Sequence, residues 1–516
     1  MNIWQLTDKL FSYIDSQKEK TSKRRNRGYS AAGNNRFVQG WLSTANKIDR
    51  AVKEGMIAIR GRSRDLTQNN PYARAAIQRN RTNVTGPEGF NFKWRSKNPD
   101  GTLNKPANEI IENGFKEWCK KQNCTMRGMF PFVIVQHLID QQMERDGEFI
   151  VRVIKGPSAQ NKFGFSLDML EVDDIDETYN AELSSGNIVK MGIELNKWRK
   201  PVAFHIRKAP LASELSYIDN YSAQRERVPA ENIIYGFDPE HPKQTRAVSP
   251  LASAMMSLHM IDGWEQASIV NARANAQTMG FLERKRADID SLSDLNQVNE
   301  DEEIITEFKD GQIEELPFGY EFKDWQRQYP HAQHQPFLKS MLRKVATALG
   351  ISYNSLANDL EGVNFSSMRS GLNEEREQWK LKQMLRRELF LMDVAEQWLE
   401  MALLSGALKP LSAVDYEQYN VPVITGRKWP YIDPTKDAAA NKIATEMGWK
   451  SRKDIIEEMG GNKDEVDAEI EEDSEFSTKY GLGNNDQIII NDPNDEEDDD
   501  PKPEDDKKSN LQIYTS

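Results

Sequence analysis

The densest group of potential metal-ligating residues lies between positions 171 and 177. It consists of Glu171, Asp173, Asp174, Asp176 and Glu177. Carboxylate oxygens are the ligands that hard divalent cations prefer, and such cations activate water for phosphodiester hydrolysis. One interpretation is therefore a metal-dependent nuclease that uses Asp173, Asp174 and Asp176. The interpretation favoured by the residues is a strand end that runs into a solvated turn.

Two other residue pairs could bind a metal ion, but their surroundings do not suit one. His331 and His334 lie between Pro330 and Pro336, which argues against a shared helix face. Cys119 and Cys124 have no second cysteine pair to complete a tetrahedral zinc site, so we expect reduced, structural thiols. The sequence thus predicts neither a metal ion nor a cofactor.

Two tryptophans stand between basic residues, Trp94 in Lys-Trp-Arg and Trp198 in a second Lys-Trp-Arg. An exposed indole between cations can stack on a nucleic-acid base. Alternatively, the rings pack in the core while the flanking charges face water, and this interpretation is favoured on the residues alone.

Motifs for the common enzyme classes are absent from the sequence. It contains no G-x-x-x-x-G-K-[ST], G-x-G-x-x-G, H-E-x-x-H or G-x-S-x-G. The chain therefore has no basis for an ATP-driven motor and is expected to be a scaffold and not an enzyme. No apolar run approaches the roughly 20 residues that span a bilayer, and the first residues lack a secretory signal. We expect a soluble protein with no membrane partner.

Charge is distributed unevenly along the 516 residues, whose net charge is −13. Residues 18–95 contain 18 Lys and Arg against five Asp and Glu, whereas residues 471–516 contain 15 acids against four bases. This asymmetry favours an anionic partner, such as nucleic acid, for the basic segment. The acidic tail cannot bury apolar area, so we expect disorder after about residue 485.

Hydrophobic periodicity in the first half predicts helices followed by strands. Helices are expected over 41–83, with Asn70-Pro71 as a start signal, and over 105–145. The period then changes to two, with strands expected over 149–154, 165–172, 188–195 and 202–207. Short strands separated by turns favour an antiparallel meander and a predominantly helical α+β fold.

The second half reads as two helices around an acidic segment, then a polar loop and a very long helix. The two helices are expected over 249–278 and 335–349, with short strands at 304–308 and 320–322 between them. The long helix is expected over 367–404, where helical spacing is kept by Leu381, Leu385, Leu389, Met392, Trp398 and Met401. At 1.5 Å per residue it spans about 57 Å, so we expect a neighbouring subunit or a packed ring to hold it.

Several stretches, in this order, resemble one protein family. They are residues 65–77 (DLTQNNPYARAAI) with 83–86 (NVTG), 198–205 (WRKPVAFH), 228–254 (from VPAENIIYGF to SPLASA), 429–437 (WPYIDPTKD) and 448–452 (GWKSR). The chain resembles the portal proteins of tailed bacteriophages, of the lambda type, over roughly residues 25–470.

The resemblance implies a ring-forming portal fold with a wing, a two-helix stem, a small clip, a long wing helix and a helical crown. Carried onto this chain, the parts are a flexible basic arm at 1–30, the wing at 31–248, stem helices at 249–280 and 335–350, the clip at 281–334, a tunnel loop at 351–367, the long wing helix and its return at 368–430, the crown at 431–484 and the disordered acidic tail at 485–516.

Functional residues follow from the same resemblance. The tunnel loop would contact DNA through Tyr353, Asn354, Asn358, Asn364 and Ser366. The stem would present Lys339, Arg343 and Lys344 to DNA or, equally, to an acidic neighbour in an intersubunit salt bridge. The clip would dock partners through Glu300, Asp301, Glu302 and Glu303. A loop without Lys or Arg suits DNA that must slide, because each contact between a cation and a phosphate would act as a brake.

The implied function is a viral portal at one capsid vertex, a channel for packaging and ejecting double-stranded DNA. The implied partners are further copies in a dodecameric ring, non-sequence-specific double-stranded DNA, the terminase large subunit, the major capsid and scaffold proteins, and head-completion proteins. The implied location is the host cytoplasm during assembly and then the virion. The alternatives are the metal-dependent nuclease and a minor head-assembly adaptor.

Overall fold

The computed structural model describes residues 47–208, 224–277, 280–284, 320–324, 333–361, 364–431 and 433–459, together with residues 463, 466, 467, 470 and 471. The chain divides into two compact units, Met1–Arg427 and Lys428–Ser516. Helices and antiparallel sheets both occur, so the expected α+β class is confirmed. The arm at 1–30, the strand at 304–308 and the tail at 485–516 lie outside the described residues.

Two helices, α1 at Ile48–Asn69 and α2 at Pro71–Val84, begin the described chain. The start signal is confirmed, because the Asn70 side chain accepts hydrogen bonds from the backbone N–H groups of Tyr72 and Ala73 at 3.1 and 3.0 Å. Next come β1 at Asn91–Trp94, α3 at Lys105–Trp118, α4 at Lys121–Cys124 and α5 at Phe132–Arg145. The helical stretch expected over 105–145 is thus confirmed and consists of three helices. Pro131 lies directly before the last of them, where a proline is tolerated.

The strands form two larger sheets. They are β2 at Glu148–Lys155, β3 at Phe165–Leu170, β4 at Ala181–Glu182, β5 at Ile188–Lys190, β6 at Ile193–Leu195, β7 at Pro201–Arg207, β8 at Arg225–Pro229 and β9 at Ile233–Phe237. Strands β4 to β8 form the predicted antiparallel meander, and β9 joins a second sheet in the order β3-β2-β9. The single strand expected over 188–195 is wrong, because Met191 and Gly192 adopt positive φ values of 46° and 82°.

Two helices follow, α6 at Ala252–Gln277 and α7 at His334–Leu349, close to the expected 249–278 and 335–349. They share one apolar core, to which Leu258 and Ile261 contribute from α6 and Leu342 and Val345 from α7. Between them in sequence, β10 at Gly280–Arg284 pairs antiparallel with β11 at Tyr320–Asp324, which confirms the strand expected at 320–322.

The loop after α7 is partly helical. A short helix, α8 at Tyr353–Ala357, lies inside it, and α9 at Phe365–Arg386 begins before the expected end of the loop. The Asn364 side chain starts α9 by accepting a hydrogen bond from the Ser367 N–H at 2.7 Å. An irregular loop over 351–367 was therefore a wrong prediction of local structure.

The long helix has the predicted extent, with one interruption. A π-helical turn at Arg387–Leu391 joins α9 to α10 at Met392–Leu404. Trp379, Arg386 and Trp398 on this helix are only 3%, 4% and 0% exposed within a single copy. Parts of the helix are therefore buried within one copy, whereas the expectation that a neighbouring subunit or a packed ring holds its whole length stays a prediction. Leu381, expected on its apolar face, is 51% exposed.

The first unit ends with α11 at Tyr416–Tyr419 and β12 at Pro422–Thr425, and β12 pairs antiparallel with β1. The second unit contains α12 at Pro434–Glu446 and α13 at Arg452–Glu458. No helix in the described part of the chain is long and apolar enough to cross a bilayer.

Candidate functional site

Four of the five carboxylates of residues 171–177 are paired with arginines, and Asp174 is the exception. The pairs include Asp173 with Arg60 and Arg64, both at 2.5 Å, and Asp176 with Arg207 and Arg225, at 3.2 and 3.0 Å. Asp176 and Glu177 are only 7% and 8% exposed, so the solvated-turn interpretation is wrong for them. No group of three or more His, Cys, Asp or Glu among the described residues could hold a metal ion. Because arginines already pair with Asp173 and Asp176, the metal-site interpretation is also wrong.

Asp173 and its neighbour Asp174 have opposite pKa shifts. Burial works against ionisation of Asp173, but the charges of Arg60 and Arg64 outweigh it and hold its pKa below the ordinary value. Asp174 has no cation partner among the described residues, and burial raises its pKa to about 6, with smaller contributions from nearby carboxylates. Its Oδ2 accepts a hydrogen bond from the Glu171 N–H at 2.8 Å.

We predict that Asp174→Asn stabilises the protein at pH 7 but not near pH 4. The folded state holds the Asp174 proton up to about pH 6, whereas the unfolded chain releases it near 3.8, so ionised Asp174 costs stability as pH rises between these values. Thermal unfolding midpoints at the two pH values measure the effect. Asp173→Asn is the control and should destabilise the protein at pH 7, because the ionised Asp173 carboxylate pairs with Arg60 and Arg64. An equal gain for Asp174→Asn at both pH values would contradict the prediction.

The remaining candidate metal and stacking residues that the structure describes are packed, except Trp198. His334 stacks on Trp264 with ring centroids 4.5 Å apart, and His331 lies outside the described residues. Burial raises the pKa of Cys124 to about 12, which fits the expected inert thiol. Packing is confirmed for Trp94, which is 2% exposed, but is wrong for Trp198, which is 79% exposed.

A buried ion pair lies directly before α6. The Arg246 guanidinium donates hydrogen bonds to the Glu148 carboxylate, through Nε at 2.9 Å and through Nη2, and both side chains are 0% exposed. Nη1 of Arg246 also donates to the Met191 carbonyl at 2.9 Å. The Tyr235 hydroxyl donates to Glu148 at 2.5 Å. This arrangement fixes the start of β2, the hairpin end at Met191 and the entry to α6 relative to one another.

A second buried cluster holds α9 against the earlier helices. Arg386 Nε donates to Asp140 at 2.6 Å, and Lys382 Nζ lies 2.8 Å from Glu144. Burial opposes ionisation of Glu144, but Lys382 and Arg386 outweigh it and lower its pKa. The sequence carries no signal for these buried residues, because a charge on an amphipathic helix normally lies on the solvent face.

The loop after α7 is anchored to that helix by polar contacts. The Tyr353 hydroxyl donates to Asp359 at 2.8 Å, and Lys339 Nζ lies 3.3 Å from the same carboxylate. The cations of Lys339 and Arg343 lie 5.3 and 5.6 Å from the Tyr353 ring centroid, a cation–π distance. Burial and the Asp359 charge raise the pKa of Tyr353 to about 12.

The other side of the loop is held by α9. Glu375, 3% exposed, accepts hydrogen bonds from the Ser352 N–H at 2.5 Å and the Ser355 hydroxyl at 3.0 Å. Leu356 is also buried, so α8 packs against the rest of the protein. The exposed part of the loop starts at Asn358. Asn358 itself adopts the left-handed conformation, with φ 52°.

The structure thus brings some predicted site residues together and separates others. Tyr353, Lys339 and Arg343 meet at the loop base, Lys344 is exposed, Asn354 is half-buried and Asn364 caps α9. Ser366 lies in α9, and its side chain, like Glu300, Asp301, Glu302 and Glu303, is outside the described residues. Asp359 and Glu375, which complete the anchor, were not predicted as site residues.

Comparison with known proteins decides the family. The sequence model for the lambda family of phage portal proteins matches residues 34–383, which include α6, α7 and the anchored loop. The chain belongs to this family. A probable portal protein of Halomonas phage phiHAP-1 is 32% identical over 465 residues, covering 89% of this chain and 88% of that protein. Portal protein B of Escherichia phage lambda is 21% identical over 393 residues, covering 69% and 70%.

Solved structures show a weaker likeness. The neck of a native gene transfer agent particle computed with C12 symmetry has a TM-score of 0.41 and 10% identity, over 77% of this chain and 93% of that one. A TM-score this low supports no conclusion, so the family assignment rests on the sequence matches. Portal proteins are structural, non-enzymatic components of the capsid, so the family confirms the predictions of a portal protein and of no enzymatic activity.

Proposed function

We propose that this portal protein assembles as a dodecameric ring at one capsid vertex and that double-stranded DNA passes through the ring during packaging and ejection. The observation that carries the proposal is a family match that includes both α6 and α7 and the loop between α7 and α9. In this role the chain docks the terminase large subunit first and head-completion proteins afterwards. It also contacts the major capsid and scaffold proteins, in the host cytoplasm and then in the virion.

The parts of the portal fold are assigned on the same basis. Helices α6 and α7 form the stem, residues 281–334 the clip, residues 31–248 and 368–430 the wing, and residues 431–484 the crown. The pairing of β10 with β11 supports a clip that leaves and returns to the stem at neighbouring points. The acidic residues Glu300, Asp301, Glu302 and Glu303 suit docking of a basic partner surface.

The exposed part of the loop is proposed as the DNA-facing element. Residues 351–361 contain no Lys or Arg, and Leu360 is 64% exposed. The nearest stem cation, Lys339, pairs with Asp359 of its own copy, which lowers the positive charge available to phosphates. Such a surface can contact DNA without binding it tightly, because few cations are present to neutralise phosphates and release counterions. Weak binding allows the DNA to slide.

Electron microscopy of the purified full-length protein tests the proposal directly. Rings with a central hole are the expected result, whereas the adaptor and nuclease alternatives predict no such particle. Incubating the protein with plasmid DNA and Mg²⁺ provides the second arm, in which no cleavage is expected. A protein that stays monomeric under all assembly conditions would contradict the proposal.

We predict that Leu360→Lys combined with Glu361→Lys slows DNA packaging several-fold at low salt while ring formation is unchanged. Each new cation can bind a phosphate and release counterions, so the defect should shrink as salt rises from about 50 to 200 mM. Nuclease-protected DNA per particle is the measurement. The backbone hydrogen bond from Glu361 to Asp359, 3.0 Å, does not involve the substituted side chains.

Val414→Lys combined with Glu417→Lys is the matched control for this prediction. It makes the same charge change at two exposed positions, one of them 91% exposed, near α11. Equal packaging by both double variants would show that residues 360 and 361 do not face DNA.

A further inference from the structure

The turn that joins β6 to β7 presents an indole and several cations to solvent. Trp198 is 79% exposed, and its neighbours Lys197, Arg199 and Lys200 are exposed as well. The exposed residue Lys243, in the segment that follows β9, lies beside them, because Arg199 Nη1 donates a hydrogen bond to its backbone carbonyl at 3.3 Å. We call these five residues the basic tip.

Hydrogen bonds hold the turn in a defined conformation. The Asn196 side chain accepts from the backbone N–H groups of Trp198 at 2.9 Å and of Lys200 at 3.0 Å. The Arg199 N–H donates to the Asn196 carbonyl at 2.9 Å. Arg199 has a φ of 65°, in the left-handed region, where glycine would be less strained. A partner therefore meets a preorganised indole, which lowers the conformational entropy lost on binding.

The cations of the basic tip have no carboxylate partner among the described residues. None of the four takes part in an ion pair there, and residues 195–203 contain no Asp or Glu. The Lys197 ammonium instead lies 5.5 Å from the centroid of the Trp198 ring. An exposed indole surrounded by unpaired cations has the composition of an interface hot spot for a negatively charged partner.

The geometry of the basic tip suits a protein segment better than DNA. Pairing between β6 and β7 ends at Leu195 and Pro201, so the turn stands at the end of the sheet and is not a two-stranded ribbon that could enter a major groove. Stacking needs an unpaired base, whereas the DNA of the proposed function is double-stranded. An extended acidic segment with apolar side chains can cover the indole and pair with the cations at the same time.

Residues 486–506 of the acidic tail, which lie outside the described residues, have the matching composition. They contain 11 Asp and Glu against one Lys, and residues 488–490 are three isoleucines. Asp492 follows this triplet by two residues, which span about 7 Å in an extended chain. That length is close to the 5.5 Å between the Lys197 ammonium and the indole centroid. The segment can therefore place apolar side chains on the indole and carboxylates on the cations.

We propose that the basic tip of one copy binds residues 486–506 of another copy, with the isoleucine triplet on Trp198 and the acids that follow it on the cations. The inference rests on the proposed ring, which holds tips and acidic segments of different copies at a high effective concentration. Burial of the indole and attraction between opposite charges both favour the contact. The contact neutralises cations that would otherwise bind DNA phosphates.

Carbodiimide cross-linking of the full-length protein tests the contact, because this reagent joins a lysine amine to a carboxylate that touches it. Mixing ¹⁵N-labelled with unlabelled protein before assembly distinguishes, by mass, links between copies from links within one copy. Links between copies should join the lysines of the basic tip to the acids of 492–506, with at least five times the yield at Lys120 and Lys121. These two exposed lysines are the matched control. Equal yields at the control lysines, or links within single copies alone, would overturn the proposal.

Two tryptophan variants test the part played by the indole. Trp198→Ala should lower the yield of links between copies at least threefold while rings form normally. Trp449→Ala, at an indole that is 78% exposed, is the control and should leave the yield unchanged. The same yield from Trp198→Ala as from the unmodified protein would show that the triplet does not cover this indole.

Binding of a short DNA duplex to the same rings is the second measurement. Arg199→Glu should leave duplex binding unchanged, because the acidic segment already occupies the tip. Weaker duplex binding by Arg199→Glu, together with no links in the unmodified protein, would make the tip a DNA site and overturn the proposal. Rings without links would overturn the contact and leave the proposed ring standing, whereas absence of rings would overturn the ring and the contact together.

Discussion

Replacing Arg246 by methionine is expected to lower the free energy of unfolding by about 3–5 kcal/mol, the usual cost of leaving one buried charge without its partner. The change would leave the Glu148 carboxylate, 0% exposed, with the Tyr235 hydroxyl at 2.5 Å, the Ala247 backbone N–H at 3.2 Å and Arg60 only at 3.7 Å. The backbone carbonyl of Met191 would also lose its donor. Denaturant unfolding at pH 7 measures the loss.

Arg50→Met is the matched control, because Arg50 and Glu54 form an ion pair whose side chains are 70% and 64% exposed. Water and salt screen such a pair, so we expect a change of less than about 1 kcal/mol. Similar losses for the two variants would show that the Arg246 pair is no more important than a surface contact. The position of the segment that leads into α6 would then have to be fixed by other contacts.

Replacing Trp398 by alanine is expected to cost about 3–5 kcal/mol, because the cavity left by a large aromatic side chain cannot close completely. Trp398 is 0% exposed, and its ring centroid lies 4.9 Å from that of Phe115 and 5.8 Å from that of Trp94. The contact joins α10 to α3 and β1, so the loss should also loosen the long helix. Urea unfolding, together with hydrogen exchange of α10, measures both effects.

Trp198→Ala tests the same side-chain truncation at a surface site, since Trp198 is 79% exposed. The expected change in unfolding free energy is within about 0.5 kcal/mol. A comparable loss at Trp198 would mean that its indole packs in a way that the exposed fraction does not reveal.

Local signals in the sequence were sufficient for most of the elements. The cap at Asn70-Pro71 and the ends of α6 and α7 depend only on nearby residues, so their positions were predicted closely. The two strands at β5 and β6 were merged because positive φ at Met191, a non-glycine residue, has no local signature. The family was also recognisable from ordered sequence stretches, and the family match confirms it.

The sequence did not predict which charged side chains are buried. Glu375, on the long helix, looks like a solvent-facing residue that favours the N-terminal end of the helix dipole, yet it is 3% exposed and holds the loop through Ser352 and Ser355. Arg386 is buried on the same helix while Leu381 is exposed, so the expected apolar face is wrong at Leu381, although it is confirmed at Trp398. Burying a charge is tolerable only where a partner from a distant segment is waiting, and spacing along one helix does not reveal that partner.

The sequence by itself determined the family, the order of helices and strands, and a loop without cations between two long helices, because these follow from residue type and spacing. The tertiary structure decided which face of each helix is buried and which carboxylates have arginine partners. It also showed that one copy buries part of the long helix, including Trp379 and Trp398. These outcomes depend on contacts between residues far apart in the chain, such as Arg246 with Glu148 and Arg386 with Asp140. Such contacts stabilise the protein only when folding has brought the two segments together.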